Sequence, residues 1–225
     1  MKAAIPVELL VMAKQPVPGR VKTRLCPPCT PEQAAAVAAA ALADTLDAVQ
    51  ASDAAGRTLV LDGRYPAPAL WRTVAQHGTG LGERLAHAFT DTAVPGRASL
   101  LVGMDTPQLT PELLGEVMQR LDAGADAVLA PALDGGWWAL ALREPARASV
   151  LATVPMSTPD TGTGTLEALR RNGCAVTIGP LLRDVDTAED ARAVAALAPA
   201  GRFAAAVATA LPGPVNQPAG ARATR

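Results

Sequence analysis

Residues 14–25 read Lys-Gln-Pro-Val-Pro-Gly-Arg-Val-Lys-Thr-Arg-Leu, and they directly follow an apolar run, residues 5–13, in which Glu8 is the one charge. The apolar run predicts a buried strand that ends in a proline-stiffened loop. This loop gathers four cations, Lys14, Arg20, Lys22 and Arg24. Such cations repel one another unless an anion offsets them, and both they and the loop N–H groups favour a polyphosphate. We expect a phosphate-binding loop, with a solvated basic loop as the alternative. Its spacing differs from the G-x-x-x-x-G-K-[ST] of a P-loop.

The bulk composition describes one domain with a sizeable core. The chain has 225 residues, of which 49% are hydrophobic and 18% are charged, and this suffices for a single core. The helical pattern weakens beyond residue 199. We therefore predict one folded domain over residues 1–211 and a disordered tail over residues 212–225.

The charge balance and the apolar segments limit the partners. A net charge of −1 argues against a general nucleic-acid or membrane-surface binder. The alanine-rich stretch 34–43 is too short to span a bilayer, and the first apolar run leads into Lys14 without a cleavage-site pattern. We expect a cytoplasmic protein without nucleic-acid or membrane partners, and the sequence leaves the oligomeric state open.

The cysteines form one C-x-x-C, Cys26-Pro-Pro-Cys29. A structural zinc site would need further ligands, and the chain offers only Cys174 and two histidines besides. A thioredoxin-like motif would follow a strand directly, whereas here the basic loop intervenes. Redox or metal use of this pair is therefore the weaker reading, and its role stays open.

Apolar strand-like runs alternate with helical segments along the chain. Strands are predicted at 6–13, 58–61, 99–103, 127–130, 137–142 and 174–178, and helices at 34–49, 81–89, 113–121, 164–171, 191–197 and 203–211. Near-continuous apolar strands between helices predict an α/β fold with a mostly parallel sheet covered on both faces. The closely spaced pair of strands around residues 134–136 departs from simple alternation, so we predict a mixed, Rossmann-like sheet in a single domain.

Four carboxylates follow predicted strands at the edge that also receives the basic loop. They are Asp105, Asp134, Asp184 and Asp186. In open α/β sheets, ligands bind beyond the carboxyl ends of the strands. Carboxylates alone would repel phosphates, but Mg²⁺ bridges the two, since it takes carboxylate and phosphate oxygens together. A metal–polyphosphate ligand is therefore the hypothesis. The alternatives are a turn residue for Asp105 and a helix-start residue for Asp186.

Other polar segments carry weaker signals. Residues 76–82, Gln-His-Gly-Thr-Gly-Leu-Gly, form a second glycine-rich loop without the spacing of a dinucleotide fingerprint. Of the adjacent Trp137 and Trp138, we expect one to be core and one free to stack on a base or sugar. Residues 161–165 suggest a plain connector, with a mobile segment that closes over a ligand as the alternative. The two histidines offer no partner for a hydrolase triad.

The combined motifs resemble a known bacterial family. Its motifs match Lys14-x-Pro-x-Pro-Gly-x-x-Lys-Thr-Arg-Leu25, Gly103-x-Asp-Thr-Pro107, Pro131-x-x-Asp-Gly-Gly136 and Asp184-Val-Asp-Thr187. The chain is similar over residues 5–198 to the radical-SAM/selenodomain-associated transferase 1 family, of glycosyltransferase-A type. More distantly it resembles phospholactate guanylyltransferase and the molybdenum-cofactor guanylyl- and cytidylyltransferases. It lacks their G-G-x-S-x-R-M-G-x-x-K signature, and Gly103-Met-Asp105 carries one carboxylate where D-x-D is common.

The resemblance implies a nucleotide-diphospho-sugar-transferase fold and a set of site residues. Asp105 and Asp186 would hold Mg²⁺ or Mn²⁺, and Lys22, Arg24 and Asp105 would carry catalysis. The nucleotide side would comprise Lys14, Pro18, Gly19, Arg20, Lys22, Thr23, Arg24, Gln76, Gly80, Gly82 and Gly103. The acceptor or sugar side would comprise Asp134, Gly135, Gly136 and Thr161.

Three functions compete on this reading. The first is a Mg²⁺-dependent nucleotidyltransferase that joins an NMP from an NTP to a small phosphate- or phosphonate-bearing acceptor and releases pyrophosphate. The cationic loop favours it, because its charge exceeds what a diphosphate needs. The second is a glycosyltransferase that moves sugar from an NDP-sugar to a small acceptor. The third is a non-catalytic nucleotide-binding protein.

Overall fold

The computed structural model describes residues 4–211, which form one α/β fold. Its strands are β1 (Val7–Lys14), β2 (Gly56–Asp62), β3 (Arg72–Ala75), β4 (Ala98–Gly103), β5 (Ala127–Pro131), β6 (Trp137–Leu142) and β7 (Val176–Ile178). Its α-helices are α1 (Pro31–Gln50), α2 (Leu81–Thr92), α3 (Pro111–Asp122), α4 (Thr161–Arg171), α5 (Ala188–Leu197) and α6 (Arg202–Ala210). Two 3₁₀ segments are Thr23–Leu25 and Pro145–Thr153.

The strands form a single mixed sheet in the order β3-β2-β1-β4-β6-β5-β7. All neighbouring strands pair in parallel except β6, which is antiparallel to both β4 and β5. The predicted mostly parallel, mixed sheet is confirmed. Because β6 alone is reversed, the carboxyl ends of the other strands meet at one edge, and the loops that follow them share that edge.

The sheet is covered on both faces, as the continuous apolar runs predict. Seven of the eight residues of β1 are buried, and alternate side chains serve opposite faces. Leu9 and Val11 belong to a cluster with residues of α1 and α3. Leu10 and Met12 belong to a second cluster with α2, α4 and the segment Pro145–Thr153.

The first helix is sandwiched between the sheet and the last two helices. Its residues Val37 and Ala41 pack with Val194 of α5 and with Phe203 and Val207 of α6. Helix α1 begins with the predicted signals: the Thr30 side chain accepts from the Gln33 N–H, the Gln33 side chain accepts from the Thr30 N–H, and Pro31 is the first helical residue.

Two elements were not predicted and the start of α4 was predicted wrongly, each for a local reason. Strand β3 was not predicted because its four residues are exposed or half-buried, as suits an edge strand. Segment Pro145–Thr153 was not predicted either, since it lacks a helical period. Helix α4 begins at Thr161, so residues 161–165 are its first turn and not a connector. The predicted tail, residues 212–225, lies outside the described residues.

A buried ion pair lies on the first strand, near the end opposite to the shared loop edge. Glu8 is 2% exposed, and its carboxylate accepts from Arg97 Nη1 at 2.8 Å and from Thr58 Oγ1 at 2.9 Å. Gly56 lies directly above it, because a Cβ there would stand 2.0 Å from Glu8 Oε2. The carboxylate is therefore compensated at each oxygen, which explains a charge inside an otherwise apolar strand.

Replacing Arg97 should destabilise the fold strongly. Arg97→Met leaves the Glu8 charge buried without its cation, so we expect the free energy of unfolding to fall by about 3 kcal/mol in urea denaturation. The control is Glu8→Gln/Arg97→Met, which removes both charges and should recover most of the loss. A single variant within about 1 kcal/mol of the wild type would show that Glu8 does not depend on this partner.

Candidate functional site

A cleft of about 680 Å³ lies at the carboxyl ends of the parallel strands. The loops after β1 and β4, the β5–β6 turn and the segment before α2 all contribute to its wall. Of the predicted site residues, the structure brings thirteen to this cleft: Lys14, Arg20, Lys22, Thr23, Arg24, Gln76, Gly80, Gly103, Asp105, Asp134, Gly136, Thr161 and Asp186. The predicted edge of the sheet is therefore the edge at which these residues meet.

Four predicted residues do not line the cleft. Pro18 and Gly19 lie on the exposed tip of the basic loop. Gly82 faces the segment Pro145–Thr153, where a Cβ would stand 2.3 Å from the carbonyl oxygen of Leu151. Gly135 faces Pro159. Gly82 and Gly135 therefore serve backbone packing, and their assignment to the ligand surface is corrected.

The backbone of the basic loop directs Lys22 inward. Lys22 adopts the left-handed conformation, with φ of 49°, and the 3₁₀ turn Thr23–Leu25 follows it. Leu25 is fully buried in the cluster formed by α1, α5 and α6. This apolar anchor holds the end of the loop in place, so the Lys22 side chain, 6% exposed, projects into the protein while Lys14, Arg20 and Arg24 remain at the surface.

The Lys22 ammonium contacts the two carboxylates that were predicted to bind metal. Its Nζ lies 2.6 Å from Asp105 Oδ1 and 4.0 Å from Asp186 Oδ1, and it donates to the carbonyl oxygen of Val185. Arg24 Nη1 lies 2.8 Å from the other oxygen of Asp186. Lys22, predicted as a phosphate contact, is therefore an ion-pair partner of Asp105 in this structure.

Asp184 was not assigned to the metal site from the sequence, although the structure groups it with two other carboxylates. Oxygens of Asp134, Asp184 and Asp186 lie within 4.8 Å of one another. Asp184 was placed at this edge by the sequence but was not assigned to the metal. The signal was available, because residues two apart in an extended segment point to the same side. Grouped carboxylate oxygens are the donor set that Mg²⁺ and Mn²⁺ take, so these residues fit a divalent cation.

Burial and the neighbouring carboxylates raise the pKa of Asp184. Burial raises the pKa of Asp184 to about 6, the repulsion by Asp134 and Asp186 adds to the rise, and Lys22 opposes it. A carboxylate whose pKa is higher in the folded than in the unfolded chain binds its proton more tightly when folded. Its ionisation therefore lowers stability as pH rises from about 4 to above 6.

Removing the Asp184 charge should stabilise the metal-free protein at alkaline pH. In EDTA at pH 8, Asp184→Asn should raise the free energy of unfolding by about 1 kcal/mol, a value discounted because the side chain is half-exposed. Denaturation at pH 4, where the wild-type carboxyl is largely protonated, is the control and should show a much smaller difference. Equal differences at both pH values would contradict the repulsion.

The predicted acceptor side is built by backbone contact between the β5–β6 turn and the start of α4. The N–H of Gly162 donates to the carbonyl oxygen of Gly135 at 2.8 Å. A Cβ on Gly135, whose φ is +90°, would stand 1.9 Å from the Pro159 carbonyl oxygen, and one on Gly162 would stand 2.8 Å from that of Gly136. The absence of side chains therefore lets the turn that carries Asp134 approach Thr161.

A methyl group on Gly162 should disturb this contact without harming the helix. Gly162→Ala forces the turn at residues 134–136 away from α4 and so shifts Asp134 within the carboxylate cluster. We expect Mn²⁺ affinity, measured by titration calorimetry, to fall severalfold. Gly164→Ala is the matched control, because it makes the same substitution in the same helix. A Cβ on residue 164 would contact only Val154, at an ordinary 3.4 Å. The result would refute the role of the contact if both variants bound Mn²⁺ equally.

Gln76 and Arg84 also line the cleft. The Gln76 side-chain amide donates to the carbonyl oxygens of Ala13 and Val60, so it ties β1 to β2. Arg84, which sequence reasoning missed, lines the cleft and pairs with Asp62 at 3.2 Å. The signal for Arg84 was its place in the first turn of the helix that follows the glycine-rich loop.

The tryptophan pair divides as predicted. Trp138 is 3% exposed and donates from Nε1 to the carbonyl oxygen of Pro180. Trp137 lines the cleft and donates to Thr165 Oγ1 at 3.2 Å. Trp137 is therefore half-buried and borders the same cleft as Asp134.

Comparison with known proteins defines the family. A family model described as "Uncharacterized protein conserved in bacteria (DUF2064)" matches residues 34–158, more than half of the chain. The chain belongs to this family. The match spans the glycine-rich loop, Asp105 and the β5–β6 turn of the DUF2064 protein. No curated protein matches it in sequence.

Solved structures share the fold of the DUF2064 protein. A Desulfovibrio desulfuricans G20 protein, provisionally named a nucleotide-diphospho-sugar transferase, is 25% identical, with a TM-score of 0.76 and coverage of 90% of this chain and 97% of that one. Rv0371c from Mycobacterium tuberculosis H37Rv, solved with manganese, is 21% identical with a TM-score of 0.54, covering 85% and 98%. A CMP:2-keto-3-deoxy-manno-octonic acid synthetase complexed with CTP is 13% identical with a TM-score of 0.54, covering 86% and 98%.

These likenesses agree on the fold. It is the Rossmann-like fold shared by nucleotide-diphospho-sugar transferases and nucleotidyltransferases. Among the described residues, none of the helices combines the length and the hydrophobicity that crossing a bilayer requires.

Proposed function

We propose that the DUF2064 protein is a divalent-metal-dependent nucleotidyltransferase. It would transfer an NMP from an NTP to a small acceptor that bears a phosphate or phosphonate. The observation that carries the proposal is the meeting, in one cleft, of the four cations of the loop after β1 with the carboxylates of Asp105, Asp134 and Asp186. Cations suit the phosphates, and carboxylates suit the metal that accompanies them.

The residues divide into three roles on this proposal. Lys14, Arg20 and Arg24 would attract the β- and γ-phosphates, with Thr23 and Gly103 beside them. Asp105, Asp184 and Asp186, together with Asp134, would hold Mg²⁺ or Mn²⁺, whose chemistry would be to offset the charge that gathers on the phosphates. Gln76 and Gly80 would lie near the base, and Asp134, Gly136 and Thr161 near the acceptor.

The reaction asks for positioning more than for covalent chemistry. An oxygen of the acceptor phosphate would form a bond to the α-phosphorus, and the bond from that phosphorus to the bridging oxygen would break, releasing pyrophosphate. Because the acceptor oxygen is already anionic at neutral pH, no side chain needs to remove a proton. The cations of the loop would stabilise the charge on the departing pyrophosphate.

Two features support this choice over its alternatives. The basic loop brings more positive charge than a diphosphate requires, and structures of the same fold include a synthetase complexed with CTP. Glycosyl transfer from an NDP-sugar is the second candidate, and the name of the Desulfovibrio relative favours it. On that reading, the Asp134-Gly-Gly136 turn would approach the sugar. A nucleotide-binding protein without turnover is the third.

We infer one catalytic domain over residues 1–211, a cytoplasmic location, and small-molecule partners in place of nucleic acid or membrane. The narrower placement within the radical-SAM/selenodomain-associated transferases rests on the motifs of residues 14–25, 103–107, 131–136 and 184–187.

A thermal-shift panel with Mn²⁺ tests the proposed function. A ligand that binds only the folded state raises its stability by mass action. We expect at least one NTP, compared with several NDP-sugars, to raise the melting temperature selectively. Arg20→Ala should weaken that shift, since Arg20 lines the cleft, whereas Arg171→Ala at the far end of α4 should leave it unchanged.

The other outcomes of the panel are informative. A shift with an NDP-sugar and none with an NTP would replace nucleotidyl transfer by glycosyl transfer. A selective NTP shift without pyrophosphate release in the presence of phosphorylated acceptors would favour the non-catalytic reading. No shift with either class would remove the nucleotide from the cleft.

A further inference from the structure

The environment of Lys22 links the binding of a metal ion to the binding of a phosphate. Its side chain is almost fully buried. The ammonium lies 2.6 Å from Asp105 Oδ1 and donates to the carbonyl oxygen of Val185. Asp186 Oδ1 lies 4.0 Å away. Asp186 belongs to the carboxylate cluster that fits a divalent cation, and Asp105 is the other carboxylate that the sequence predicts as a metal ligand. The lysine and a bound cation would therefore compete for the same oxygens.

The charges around this point are unbalanced by two. Asp105, Asp134, Asp184 and Asp186 stand against Lys22 and Arg24, which leaves two negative charges when all four carboxyls are ionised. A divalent cation would restore neutrality. It would also repel the buried ammonium, because like charges a few ångströms apart repel each other strongly in a partly desolvated site.

A phosphate in the cleft is an alternative partner for the Lys22 ammonium. Lys22 lines the cleft on a loop that also presents Lys14, Arg20 and Arg24 to it, and a four-carbon stem lets the ammonium change partners without moving the backbone. A phosphate in the cleft would offer the anion that the carboxylates no longer supply once a metal ion neutralises them.

We propose that Lys22 is an internal counter-ion that competes with the divalent cation for Asp105 and Asp186 and passes to a phosphate when the cation binds. The proposal rests on the proposed function only for the phosphate. It follows that the metal alone binds weakly, since it must displace a paired lysine, and that metal and nucleotide promote each other's binding. Lys22 thus acts as a positioning residue that couples the two ligands.

The competition is testable with Mn²⁺ alone, without any nucleotide. Lys22→Met keeps most of the length of the side chain and removes its charge, so we expect Mn²⁺ affinity, measured by electron paramagnetic resonance, to rise at least tenfold. Lys14→Met is the matched control, because it removes an exposed cation of the same loop. It should tighten Mn²⁺ binding by no more than about threefold, because it removes only a long-range repulsion that salt screens.

A labelling experiment tests the same idea on the wild-type chain and does not depend on the variant's folding. The chain contains three lysines, Lys2, Lys14 and Lys22, so reductive methylation followed by peptide mass spectrometry resolves each of them. Lys22 should react far more slowly than Lys14 in EDTA. Saturating Mg²⁺ should accelerate Lys22 severalfold and leave Lys14 unchanged.

The opposite results would overturn the proposal. If Lys22→Met binds Mn²⁺ no more tightly than Lys14→Met, or if Mg²⁺ leaves Lys22 protected, then the lysine and the metal do not compete. These readouts involve no nucleotide, so they separate a failure of the competition from a failure of the proposed function, which the thermal-shift panel reports.

Discussion

The attraction between Lys22 and the carboxylates at the sheet edge is the interaction on which the site depends. Three loops that follow different strands meet there: the loop after β1 brings Lys22, the loop after β4 brings Asp105, and the segment before α5 brings Asp186. The N–H of Val185 also donates to the Asp105 carbonyl oxygen at 3.0 Å. Without a cation between them, whether Lys22 or a bound metal ion, these carboxylates would repel one another.

The fold separates the charges that stabilise it from those that face the cleft. Glu8 and Arg97 lie towards the amino-terminal end of the strands, where the Glu8 carboxylate has a partner at each oxygen. At the carboxyl-terminal end, Asp184 is half-buried among like charges, and its pKa is raised to about 6. The Glu8 carboxylate therefore contributes to stability. Asp184 faces a repulsion that Lys22 offsets only in part and that a bound cation would relieve, which is typical of functional sites.

The sequence was sufficient for the parts of the fold that local pattern encodes, and insufficient where distant contacts decide. Strand β1 was predictable because burial on both faces makes its residues continuously apolar. Residues 161–165 read as a connector because their glycines suggest flexibility, yet Gly162 is small because the backbone of residues 135 and 136 approaches it. Likewise the rim placement of Asp105 and Asp186 followed from strand ends, but the lysine between them did not. That contact requires the left-handed backbone of Lys22, which the burial of Leu25 helps to fix.

The balance of charge in the cleft argues for a triphosphate more than for a diphosphate. Lys22 and Arg24 are engaged by carboxylates, which leaves Lys14 and Arg20 of the loop to attract a ligand from solvent. A metal ion that takes over the carboxylates would release Lys22 and Arg24 as well, so the positive charge offered to phosphate would grow as the metal binds. A diphosphate, largely neutralised by its own metal ion, would need little of that charge. A triphosphate would use it, both when it binds and when pyrophosphate departs.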